Sequence, residues 1–309
     1  WKVRRNRAKG IDADVGTKIL HFEKAFHGRS GYTLSLTNTI PDKVDYFPKF
    51  DWPRISAPCL KFPMTDSEMV AHVAEEDACF AAIDGAFAQH GDDIAAILIE
   101  TIQCEGGDRH FRPEFLQGLQ ARCEKYDCLF LCDEVQTGYF GSGKPWAFQH
   151  YGITPDIFSF GKKSQQCGIM AGPRIDEVPN NCFEMSSRIN STWGGNLVDM
   201  VRATKILETI KNDSLCDNAA NQGDKWLTEM TQMAASFDMI DNVRGKGLIM
   251  AFDTPNAETR DKVLGAMFEN GMIGLSSGER TVRFRPHLAI TNDDVSRALE
   301  ITEASLKTL

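Results

Sequence analysis

A run of large apolar residues from Leu129 to Leu131 stops abruptly on Asp133 and Glu134, and a second run, Asp156 to Phe160, stops on Lys162 and Lys163. A strand with one wet face alternates apolar and polar residues, whereas near-continuous apolar runs need cover on both faces, as in a parallel sheet flanked by helices. Ile94 to Ile99 is a third such run, ending at Glu100. Helices are signalled between them. Thr65-Asp66-Ser67-Glu68 forms a capping box, after which Met69, Val73, Phe80, Ile83 and Phe87 mark one face to about His90. Pro113 opens another helix, lined on its buried side by Phe115, Leu116, Leu119 and Cys123. This alternation predicts an α/β domain on a mainly parallel sheet with helices on both faces. Two neighbouring strands would then carry an acid and an amine to one edge, in the crevice where such sheets bind ligands.

Elsewhere the pattern is plainer. Thr17 to Phe22 alternates toward a strand and leads into A-F-H-G-R-S-G-Y. Pro41 to Pro63 is rich in Pro, Asp and aromatics without periodicity, which predicts a surface excursion rather than an element. Helices are expected from about Leu197 through Ile210 and from Ser214 to Phe237. After Val243 the chain turns to short strands (Val243 to Phe252, then near Met272 and Val282), a helix Ala257 to Glu269 stopped by Asn270-Gly271, and a last helix from Thr291. A large domain over residues 1–205 and a smaller α+β domain over 206–309 are expected. The chain opens without Met. Trp1 to Gly10 is basic, helix-like and closed by a glycine, as in the last turns of a helix begun earlier, so a fragment is expected.

A net charge of −9 and a pI near 5.3 exclude a basic nucleic-acid or anionic-membrane surface and favour small-molecule ligands. No apolar run approaches the roughly 18 residues of a membrane span. The nine cysteines are scattered, several of them inside apolar periodic runs, and no C-x-x-C pair occurs. Buried thiols in a reducing, cytoplasmic setting are expected, with no zinc or redox framework.

The apolar strand ending on Asp133-Glu134 invites comparison with nucleotide hydrolases, and Gly143-Lys144 lies close by. Pro145 then occupies the place where a hydroxyl must reach magnesium, which removes that reading. Gly245-Lys246-Gly247 begins a dinucleotide fingerprint, but Met250 stands in place of its last glycine. An acid and a lysine at one sheet edge instead match pyridoxal phosphate. That cofactor needs a lysine to form a Schiff base and a carboxylate to keep its ring nitrogen protonated.

At this point the chain resembles the class III (omega) aminotransferases of fold type I. The resemblance rests on A-F-H-G-R, Q-x-E-G-G, D-E-V-Q-T-G, P-D-I-x-x-x-G-K, S-T-x-G-G-N, R-G-K-G-L and V-R-F-R-P. D-R-H-F-R-P-E-F, F-G-K-K-S-Q and I-N-S-T-W-G-G-N are similar to the branch acting on the terminal amine of L-lysine. The resemblance implies that Lys162, six positions after Asp156, is the Schiff-base lysine, with Lys163 a structural neighbour. It further implies that Asp133 pairs with the ring nitrogen, Gln136 with the ring hydroxyl, and that Phe26 stacks on the ring. Thr192, with Asn190, would reach the cofactor phosphate of a neighbouring subunit, which makes a homodimer with shared sites an expectation. Thr101, Cys104, Phe140 and His287 depart from the family pattern in the loops.

The implied reaction passes the terminal amine of lysine to 2-oxoglutarate, giving 2-aminoadipate 6-semialdehyde and glutamate. Lysine's carboxylate lies far from its reacting amine, whereas that of 2-oxoglutarate adjoins the reacting carbon. One pocket must therefore show a cation near the cofactor in one half-reaction and hide it in the other. Arg283 is the implied cation and Glu105 the acid that covers it, while Arg29 would hold the distant carboxylate by bidentate pairing. Substrates such as 4-aminobutyrate or ornithine remain the alternatives within the family, and a non-catalytic relative the alternative outside it.

Overall fold

The structure is a computed structural model that describes residues 1–11, 14–192 and 194–309. Its elements are α1 (Lys2–Ala8), β1 (Lys18–Phe22), α2 (Gly31–Leu34), α3 (Pro41–Val44), β2 (Arg54–Ile55), α4 (Asp66–His90), β3 (Ile94–Glu100), α5 (Pro113–Lys125), β4 (Leu129–Asp133), β5 (Ile157–Phe160) and β6 (Gly168–Ala171). There follow α6 (Leu197–Asn212), α7 (Leu215–Ala234), β7 (Asp241–Lys246), β8 (Ile249–Asp253), α8 (Ala257–Glu269), β9 (Leu275–Ser277), β10 (Thr281–Phe284) and α9 (Asn292–Lys307). The strand–helix alternation read from the sequence is present. So is the capping box at Thr65, whose hydroxyl accepts from Glu68 N while Glu68 Oε2 accepts from Thr65 N.

The large sheet runs β2-β1-β3-β4-β5-β6, parallel except for β6, which is antiparallel to β5. Successive residues of β4 point to opposite faces. Phe130 and Cys132 join Ile83 and Phe87 of α4 and Phe115, Leu116 and Leu119 of α5. Leu129 and Leu131 face a smaller cluster with Ala96, Ile175 and Trp1, the residue that caps α1. Both faces of the central strands are therefore covered, which explains their unbroken apolar character. Register places Glu100 beside Asp133 and Asp133 beside Ser159.

The stretch from Pro41 to Pro63 is not wholly irregular, since it holds α3 and the two-residue β2. Neither is long enough to leave a periodic signature. β6 was also not expected. It is an edge strand whose Ile169 and Met170 stay exposed, so no burial pattern marks it. Of the cysteines, Cys79, Cys104, Cys123, Cys128 and Cys132 are buried, but Cys167 is exposed and Cys59, Cys182 and Cys216 are half-buried, a correction to uniform burial.

The second sheet, β7-β8-β10-β9, is antiparallel. Trp226 and Met230 of α7, Val263 and Met267 of α8, and Val295 and Leu299 of α9 pack on Phe252 and Phe284. The expected division at residue 205 falls within α6. The two sheets are bound together around the loop after β3. Arg244 donates to Asp108 O (2.8 Å) and Gly107 O (2.6 Å), and Ser277 Oγ to Cys104 O (2.5 Å). Among the described residues no helix is long and apolar enough to cross a membrane.

Candidate active site

β4 ends on Asp133, and the fold surrounds that carboxylate with donors. His27 Nδ1 meets Oδ2 at 2.8 Å, Ser159 Oγ donates to Oδ1 at 2.9 Å, and Val135 N–H donates to Oδ1 at 3.1 Å. Burial alone would raise the carboxyl's pKa, but the His27 contact and the two hydrogen bonds hold it below the usual aspartate value. Asp133 is thus an ionised acid, with 12% of its side chain still open. Its neighbour Glu100 is the opposite case. Complete burial and the adjacent Asp133 charge push its pKa well up, while its two oxygens accept from Phe26 N (2.9 Å) and Cys104 N (3.3 Å). Two carboxyls side by side on one sheet edge have had their pKa values pushed in opposite directions. Glu134, raised by burial, accepts from Ala147 N, Phe148 N, Thr101 and Thr137, and so folds the loop after β4.

Lys162 follows Gly161 at a positive φ of 50° and is exposed, with no hydrogen-bond partner for its Nζ among the described residues. Lys163 turns the other way. Its Nζ donates to Gln136 O and, at 3.4 Å, to Gly138 O, and burial lowers its pKa to about 8. Lys162, Lys163, Gln136 and Arg283 line one cavity of about 770 Å³, which Ile206 of α6 and Leu275 of β9 also line. Arg283 Nη2 lies 3.3 Å from Glu105 Oε2, as expected for a covered cation, and its Nη1 donates to Cys104 O at 2.9 Å.

The cavity wall thus gathers Lys162, Gln136 and Arg283 and, through Arg283, Glu105. Asp133 and Phe26 lie off that wall, tied to the same edge through His27 and Glu100. Arg29 is exposed and without an ion-pair partner among the described residues, and the structure does not bring it to the cavity. Asn190 and Thr192 are likewise exposed and off the wall, and Trp193 of the same motif lies outside the described residues. Sequence reasoning missed three groups. His27 had a signal, since it stands inside the A-F-H-G-R motif. Glu100 was noted only as the end of a strand. Lys43, which ion-pairs with Glu105, sits in an aperiodic stretch with no signal at all.

A family model described as Aminotransferase class-III matches residues 1–306. An L-lysine-epsilon aminotransferase of Amycolatopsis lactamdurans is 49% identical over 311 residues, covering 99% of this chain and 68% of that protein. A solved lysine aminotransferase from M. tuberculosis superposes with a TM-score of 0.96 at 45% identity, covering 100% of this chain and 70% of that one. The 4-aminobutyrate aminotransferase of Dictyostelium discoideum is 34% identical over 94% of this chain and 58% of its own length.

The residues present fit pyridoxal phosphate. An ionised, partly open carboxylate ends one strand and an amine follows the next, and among the described residues that amine, His27 Nε2 and Arg283 Nε have no hydrogen-bond partner, the last two being buried. The chain belongs to the class-III aminotransferases and is a pyridoxal-phosphate-dependent aminotransferase.

Proposed function

We propose that the chain transfers the terminal amine of L-lysine to 2-oxoglutarate, giving 2-aminoadipate 6-semialdehyde and glutamate. The observation that carries this reading is the Arg283–Glu105 pair on the cavity that Lys162 lines. It suits a donor that brings no carboxylate to the reacting end and an acceptor that does. The higher identity to the lysine-named relative, 49% against 34% for the 4-aminobutyrate one, supports the choice of donor.

When bound, the cofactor supplies an electron sink for the charge that develops at the donor's amine-bearing carbon. This chain's residues do the rest. Asp133, held ionised by His27, Ser159 and Val135, would accept the ring N–H and keep that proton in place. Gln136 would hold the ring hydroxyl and Phe26 would cover the ring face. The Phe26 backbone N–H is fixed through Glu100. Lys162 Nζ, unburdened by other bonds, takes the proton from the donor carbon as general base and, as general acid, would deliver it to the cofactor carbon rather than back to the donor. Lys163 stabilises the turn after β4 through the Gln136 and Gly138 carbonyls.

Glu105 covers Arg283 while lysine's apolar stem occupies the site and uncovers it for the carboxylate of 2-oxoglutarate. Arg29, exposed and unpaired among the described residues, is available for lysine's distant carboxylate. The exposure of Asn190 and Thr192 supports their serving the phosphate site of a second copy in a homodimer. Nine free thiols favour a reducing, cytoplasmic setting.

Single-turnover rates with lysine, ornithine and 4-aminobutyrate test the substrate. Lysine is expected to react fastest, and absence of reaction with lysine would overturn the assignment.

A further inference from the structure

The carboxylate of Glu105 is divided between two cations. Its Oε2 lies 3.3 Å from Arg283 Nη2, and its Oε1 is ion-paired with Lys43 Nζ. The two come from different parts of the molecule, Arg283 from β10 of the small sheet and Lys43 from the single turn of α3. Lys43 Nζ also stands 5.4 Å from the centre of the Phe26 ring. Side-chain exposures of 26% for Lys43, 18% for Glu105 and 12% for Arg283 show that all three are largely screened from water. Burial would raise the Glu105 pKa, and the two cations together hold it below the usual glutamate value.

Arg283 has a donor to spare. Its Nη1 is used by Cys104 O, but its Nε is buried with no partner among the described residues. A buried guanidinium N–H beside a cavity costs free energy until an acceptor arrives, and a carboxylate is the acceptor whose shape suits it. If Glu105 leaves Arg283 to make room for such a ligand, its own charge needs another partner, because a screened carboxylate without one is strongly disfavoured.

We propose that Lys43 is that partner: it neutralises Glu105 when an incoming dicarboxylate claims Arg283, and thereby sets affinity for the oxo-acid substrate without touching either substrate. The inference rests on the two-substrate reading given above. Lys43 is a positioning residue that acts through Glu105. Without it, Glu105 keeps only Arg283 as an ion-pair partner among the described residues, and the covered arrangement dominates. The donor half-reaction uses the covered arrangement and is insensitive to Lys43.

The test uses the cofactor-loaded protein, with Lys43→Met to remove the charge while keeping an apolar stem over Phe26, and Lys43→Arg to restore it. Binding of glutarate, a dicarboxylate that cannot react, is measured by calorimetry, alongside single turnover with lysine and the KM for 2-oxoglutarate. Lys43→Met should weaken glutarate binding and raise the KM by about tenfold or more, with the lysine rate changed by no more than about twofold. Lys43→Arg should recover most of the loss. In a Glu105→Gln background, Lys43→Met should have no further effect on glutarate, since no carboxylate remains to be held. Equal losses for lysine and glutarate, no loss for either, or additive losses in the Glu105→Gln background would overturn the proposal. A wild-type protein that binds glutarate but fails to react with lysine would count against the substrate assignment, while the glutarate comparison still decides the role of Lys43.

Discussion

Asp133 and Glu100 show how one sheet edge sets the charge of single residues. Asp133, with a lowered pKa, contributes stability that is present above the ordinary carboxylate range and is lost as pH falls through its folded value. Glu100, with a raised one, binds a proton in the folded state that the unfolded chain gives up, so its contribution is lost as pH rises above the ordinary glutamate value. Glu100→Gln keeps an acceptor oxygen for Phe26 N and removes that titration. Because its NH2 also meets the Cys104 N–H, the effect is read as a difference: relative to the unsubstituted protein, the urea midpoint is expected to be more favourable at pH 7 than at pH 4, and a larger loss at pH 7 would contradict the raised pKa. Sequence alone pointed to Asp133, Lys162 and Gln136 because each sits in a short motif at a strand end. It could not show the partners of these residues. His27 meets Asp133 across 106 residues of sequence and Lys43 meets Glu105 across 62, separations that only the fold closes.

At the scale of elements, the two sheets are joined by buried charge rather than by apolar contact alone. Asp108, in the loop after β3, ion-pairs with Arg285 just past β10, while Arg244 of β7 pairs with Asp253 of β8 at 2.8 Å and donates to the Asp108 carbonyl. The Asp108 side chain is 1% exposed, so its removal leaves Arg285 desolvated without its counter-charge. Asp108→Ala is expected to cost roughly 3–5 kcal/mol in chemical unfolding, and a cost under about 1 kcal/mol would show that the pair does not bind the sheets together. The central strands and the helices α4, α5 and α8 were readable from apolar period and capping chemistry, because their burial is dictated by their own residues. β2 and β6 were not, since edge strands of two and four residues are held by backbone pairing that leaves little mark on side-chain pattern.

At the scale of the whole molecule, the cavity is lined from both sheets, Lys162 and Gln136 following strands of the large sheet and Arg283 standing on β10. The chemistry therefore depends on which amine the large sheet presents. Lys162 and Lys163 are adjacent in sequence, but only Lys162 leaves its amine without a hydrogen-bond partner among the described residues, while Lys163 is spent on the Gln136 and Gly138 carbonyls. Borohydride treatment of the cofactor-loaded protein fixes the cofactor irreversibly to the amine that holds it, and peptide mass spectrometry then locates the modified residue. The structure predicts modification at Lys162, lost in Lys162→Ala, whereas modification at Lys163, or at neither lysine, would contradict the account.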